Sequence, residues 1–94
     1  MIRLETLVRD GTKFILRSIY LNPAFVVTIR EHEILTKDLR DGKKRFPEGL
    51  SAEHTLSEII YSEGSNSKSL LAIGSPEIIQ LKLFSNSTKM LLRG

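Results

Sequence analysis

The sequence predicts an α+β fold: a small, mostly antiparallel sheet of about five strands, built from two hairpins and carrying a C-terminal helix. Three observations predict it. Residues 55–84 run as an apolar stretch (TLSEIIYS), a polar turn (EGSNSK), a second apolar stretch (SLLAIG) and then Ser75-Pro76-Glu77, which is the order of a hairpin feeding a helix. Residues 1–8 alternate in period two, and a second apolar run, TKFILRSIY, follows directly after Arg9-Asp10-Gly11, a second hairpin pattern. Between them FVVTI, at 25–29, is rich in β-branched residues that suit a pleated surface better than a helix.

Along the chain, Ile2, Leu4, Thr6 and Val8 share one face of the first strand, and Arg3, Glu5, Leu7 and Arg9 the other. After the Gly11 turn, TKFILRSIY pairs back on it, with apolar groups on both faces. Asn22-Pro23 then breaks the ladder, because proline has no N–H to donate. A third strand spans Phe25 to Arg30. Residues 31–41 carry two readings. Early Glu31 and Glu33, late Lys37 and Arg40, the spacing of Ile34, Leu35 and Leu39, and a capping Gly42 describe a short helix, while an extension of the third strand through Leu35 competes with it. Pro47 and Gly49 make the stretch that follows an exposed loop, tacked down by Phe46 and Leu50. The fourth and fifth strands form the second hairpin, turning at Gly64 to Ser67. Ser75 is the N-cap of the final helix, Pro76 its first residue, and Glu77 lies at the positive end of its dipole. Ser85 to Thr88 reads as a linker and residues 89–94 as a basic, apolar tail, so that 1–88 is a single domain.

Composition bounds the function. Ninety-four residues, 40% apolar, make one domain with one modest core. The chain has no cysteine, which excludes disulfides and thiolate metal sites and favours a cytoplasmic setting. Charges spaced through Met1 to Glu5 are unlike the apolar run of a secretory leader, and no window approaches the roughly 18 apolar residues of a membrane span. The net charge of +3 is concentrated early: residues 1–47 hold ten Lys/Arg against six Asp/Glu, and residues 48–94 four against five. That asymmetry is a mild pointer to an anionic partner.

The candidate sites follow from this pattern. Lys37, Arg40, Lys43, Lys44 and Arg45 form a basic cluster suited to phosphate contacts, diluted by Asp38 and Asp41. Arg3, Lys13, Arg17 and Arg30 form a further patch if their strands align. Glu31-His32-Glu33 holds metal-ligating types, but neighbouring side chains diverge on a strand or a helix, so His32 and the isolated His54 read as surface or capping residues. Serines cluster where turns explain them, no G-x-S-x-G elbow or phosphate-binding glycine loop occurs, and Asp38 to Gly42 lacks the rest of a calcium loop. An enzyme, a cofactor, a metal and a small-molecule substrate are therefore not expected. In the final helix Ile78, Ile79, Leu81, Leu83 and Phe84 spread around most of the wheel, more apolar surface than one sheet face covers, unless LKLF is strand-like, since Ile79, Leu81 and Leu83 also alternate. The expectation is an oligomer interface, most simply a homodimer, in a non-catalytic binding or assembly module. The alternative is a nucleic-acid-binding regulator that uses the basic loop.

The order Ile2-x-Leu4-x-x-Leu7, Gly11, Phe14-x-Leu16, hydrophobic strand, turned hairpin and final amphipathic segment resembles the small flagellar FlbD proteins over about half of the chain, with Glu31 to His54 as an insertion. The opening LETLVRDGTKF and closing KMLLRG also resemble small uncharacterised proteins of T4-like phages that infect cyanobacteria. The second resemblance implies a phage accessory protein in the host cytoplasm. Neither implies catalytic or binding residues.

Overall fold

The computed structural model describes residues 1–43 and 46–93, with side chains outside 86–93. Five strands, β1 (Ile2–Asp10), β2 (Lys13–Leu21), β3 (Val26–Glu31), β4 (Leu56–Glu63) and β5 (Asn66–Ile73), form one antiparallel sheet in the order β2-β1-β5-β4-β3. Helix α1 (Glu33–Asp41) follows β3, and α2 (Pro76–Arg93) follows β5. The α+β expectation holds, and the helical reading of the middle segment is the one the chain adopts.

Both hairpins close through two residues, Gly11-Thr12 and Gly64-Ser65, with each glycine at positive φ (65° and 64°). Glycine at the first position of a two-residue loop matches the twist of the flanking strands, so the register follows from the turn. The second turn is tighter than the sequence indicates, since Asn66 and Ser67 already pair with Glu63 and Ser62. Between β2 and β3, Asn22 accepts the Ala24 N–H on its side chain at 3.0 Å and opens a single 3-10 turn at Pro23–Phe25.

The sheet buries both faces. Leu4, Leu21, Ile59 and Ala72 on one face pack against Ile79 and Leu83 of α2. On the other, Leu7, Phe14 and Leu56 pack against Leu39 of α1, with Leu35, Phe46 and Leu50 around them. Period two along the strands explains the division: Leu4 and Leu7 on β1, like Ile59 and Leu56 on β4, are three residues apart and point oppositely. Each such buried aliphatic side chain contributes about 1.5–3 kcal/mol.

Helix α1 starts at His32, whose Nδ1 accepts the Leu35 N–H at 3.2 Å, and ends at Gly42 in the left-handed region, whose N–H bonds the carbonyls of Asp38 and Leu39. Helix α2 starts as expected: Ser75 Oγ accepts the Ile78 N–H at 3.3 Å, and its carbonyl accepts the Ile79 N–H at 3.0 Å. Its far end corrects the sequence reading. The helix runs on through Ser85 to Thr88 as far as Arg93, where a linker and a tail are expected. Serine, asparagine and threonine are weak helix formers but do not break a helix already nucleated upstream.

Candidate interaction surfaces

The five apolar residues expected to form an interface in α2 separate into two groups. Ile79 and Leu83, one turn apart, are buried in the monomer's own core, and Phe84 is half-buried against the same cluster. Ile79 and Leu83 are thus corrected from subunit contacts to intramolecular packing, while Phe84 packs against the core and also lines the groove beside it. Ile78 and Leu81 remain, 52% and 67% exposed on the outer side of the helix. The phase of the helix on the sheet decides the division, because Ile79 and Leu83 are the pair that reaches Leu4, Ile59 and Ala72.

The flank of α2 nearer β3 adds a groove of about 240 Å³ lined by Val26, Val27, Ile29, Gln80 and Phe84. Phe25, which ends the 3-10 turn rather than opening the third strand as the sequence suggests, and Val27 near the start of β3 are exposed. The register shifts between Val26 and Thr28, so an irregularity there turns Val27 out of the ladder. Sequence reasoning missed Phe25 and Val27, because an FVVTI run reads as buried strand. The adjacent Asn22-Pro23 turn is the signal that its first residues lie at a margin.

The basic cluster is partly described. Lys37 and Arg40 are exposed one turn apart on α1, and Lys43 is exposed just past the Gly42 cap. Lys44 and Arg45 lie outside the described residues. Glu33 and Asp41 are also exposed on α1. Phe46, the one aromatic near the cluster, stacks on Phe14 with centroids 5.3 Å apart and rings 8° from parallel, so it serves the fold.

The second proposed patch does not assemble. The pairings place Arg3 and Arg30 on one face near opposite edges of the sheet, and Lys13 and Arg17 on the other. Arg3 is bound to Glu5 at 3.0 Å and to Ser18 Oγ at 3.0 Å, and Arg30 to Glu58 at 2.7 Å.

His32 caps α1, as a capping role predicts, and with Arg30, Glu31, Glu33, Ile34 and Glu58 it borders a shallow depression of about 300 Å³. Among the described residues no group of three or more His, Asp or Glu is arranged to hold a metal ion. No helix of the described residues is long and apolar enough to cross a membrane. A larger cleft of about 460 Å³ lies where β1 and β5 part, their ladder being only Thr6–Ala72 and Leu7–Leu71, and its lining mixes apolar strand residues such as Leu7 and Leu71 with Arg9, His32 and Glu58.

Compared with known protein families, curated proteins and solved structures, the chain matches none of them.

Proposed function

We propose that this protein is a non-catalytic assembly module that self-associates through the outer face of α2 and the adjoining β3 margin. The observation that carries the reading is the exposure of Ile78 and Leu81 on a helix that already buries Ile79 and Leu83 in its own core. An aliphatic side chain taken from water gains about 1.5–3 kcal/mol, so two per subunit supply a useful part of a dimer contact. Val27 lines the neighbouring groove, and Phe25, two residues earlier, is exposed as well. Several exposed apolar side chains on one side of a small domain mark an interaction site more strongly than a single one does.

The test is substitution. Ile78→Gln with Leu81→Gln leaves the core residues untouched and suits a helix, so the folded chain should persist by circular dichroism while the mass in sedimentation equilibrium falls below that of the parent protein. A double variant as oligomeric as the parent protein sinks this reading.

A second reading is sequence-independent contact with nucleic-acid phosphates, favoured by Lys37 and Arg40 standing exposed one turn apart with Lys43 just beyond them. Binding that collapses with added salt and with Lys37→Glu/Arg40→Glu would support it.

A further inference from the structure

The two edges of the sheet are unlike. At β3 the edge is interrupted by the register shift at Val27 and preceded by a 3-10 turn, devices that discourage strand addition. At β2 the edge is regular: all nine residues, Lys13 to Leu21, pair in unbroken register with β1. The tight Gly11-Thr12 loop makes Asp10 and Lys13 a hydrogen-bonded pair, so by alternation Leu16, Ser18 and Tyr20 direct their backbone N–H and C=O groups to the open side. Leu16 is 43% exposed and Tyr20 67%, and both lie on the same face of that open strand.

We propose that β2 pairs antiparallel with β2 of a second copy of this chain, about a two-fold axis through Ser18, to form a continuous ten-stranded sheet. The proposal rests on the reading of self-association and adds a second surface to it.

The side chains select both the occupant and the register. A two-fold axis normal to the sheet keeps each face on its own side, so it must pass through a residue rather than between two. An axis through Arg17 sets Arg17 against its own copy, and like charges directly opposite are unfavourable. An axis through Leu16 leaves Tyr20 and Leu21 beyond the ladder. With the axis through Ser18, Leu16 of one copy meets Tyr20 of the other, twice, and Ile15 meets Leu21, twice. Within one chain, Leu16, Leu7 and Leu71 already form a row across β2, β1 and β5. Tyr20 of the second copy would lengthen that row by one strand. On the opposite face, where Val8 pairs with Ile15 and Ile2 with Leu21, the same register joins Val8, Ile15, Leu21 and Ile2 into one apolar row across both subunits. Arg17 then opposes Ile19, which its aliphatic stem can cover.

Single cysteines in a chain that has none test this directly. In the proposed dimer the two Ser18 positions form a hydrogen-bonded pair with Cα atoms about 5.5 Å apart, inside disulfide range. The two Arg17 positions would be about 8 Å apart, outside it. Under mild oxidation Ser18→Cys should cross-link about 100-fold faster than the exposed turn control Ser65→Cys at about 10 μM protein, because its partner is held at a millimolar effective concentration. Leu16→Cys mixed with Tyr20→Cys should yield the mixed disulfide, which provides a second readout should Ser18→Cys fold poorly. Ser18→Cys no faster than Ser65→Cys, together with no mixed disulfide, overturns the proposal, and so does faster reaction of Arg17→Cys or of Leu16→Cys alone. If the parent protein is nevertheless a dimer, only the β2 contact has failed. If it is a monomer at every concentration, self-association itself has failed, and if β2 accepts a strand of some other protein instead, these cross-links stay at the control rate.

Discussion

The side chain of Thr36 on α1 holds both backbone groups of Leu56 on β4: its Oγ1 accepts the Leu56 N–H at 3.0 Å and donates to the Leu56 carbonyl at 3.3 Å. Both residues are buried, and the same carbonyl accepts the His32 N–H at 2.8 Å. One hydroxyl thus docks α1 on the sheet while satisfying the first ladder position of β4. Thr36→Val keeps the shape and leaves the Leu56 N–H buried without a partner, which costs about 1–3 kcal/mol. The melting temperature should fall by about 4–8 °C for each kcal/mol lost, and Thr36→Ser should restore most of it. Equal melting temperatures for Thr36→Val and the parent chain would show that α1 docks by other means.

The stack of Phe46 on Phe14, with Arg9 lying over Phe14 at 6.0 Å from the ring centroid, anchors the loop that leads from α1 to β4. Phe46→Leu keeps apolar bulk but removes the stacked pair, worth about 0.5–1.5 kcal/mol. Phe46→Ala removes the bulk as well. Limited proteolysis between residues 43 and 55 should therefore accelerate in the order parent, Phe46→Leu, Phe46→Ala, and indifference of the cleavage rate to both changes would contradict the anchoring role.

Gly74 sits at φ 133°, and a Cβ there would lie 3.3 Å from Ile79 Cδ1 in the core under α2. Gly42, at φ 71°, faces open space. Both glycines relieve backbone strain, but only Gly74 also relieves crowding, and its carbonyl accepts the Ser57 hydroxyl at 2.7 Å. Strain at such a position costs about 1–3 kcal/mol. Chemical denaturation should show Gly74→Ala to be more destabilising than Gly42→Ala, and the reverse order would show that the Ile79 side chain moves aside freely.

Adjacent residues of α2 should respond oppositely to truncation. Ile79→Ala opens a cavity against Leu4 and Ile59 and should cost about 2–5 kcal/mol. Ile78→Ala, at an exposed position, should change monomer stability by no more than about 0.5 kcal/mol. Urea unfolding at concentrations low enough to populate the monomer separates the two, and comparable losses would mean that the helix packs with a different phase.

Much of the fold was legible because local chemistry and tertiary packing agree. Ser75-Pro76-Glu77 announces the start of α2, and the turns at Gly11 and Gly64, each between two strand-like runs, announce two hairpins. The middle segment was ambiguous because its cap is His32 rather than a usual capping residue, and because Ile34, which lies near Leu35 and Leu39 in helical spacing, is exposed. The joining of the hairpins through β1 and β5 rests on a ladder of two residue pairs, for which no local pattern exists. The candidate interface was legible only as a surplus of apolar residues. Which of them face outward depends on the phase of α2 against Leu4, Ile59 and Ala72, a property of the packed molecule.

The most direct test of self-association is the molar mass in solution, by light scattering after gel filtration, at low and high salt and with and without a short DNA duplex. Apolar contacts predict a mass of at least twice the 10.6 kDa of the chain, higher where the α2 and β2 surfaces are both occupied, retained at high salt and unchanged by the duplex. A mass of one chain under every condition, or a gain in mass that requires DNA and disappears at high salt, would contradict the assembly reading.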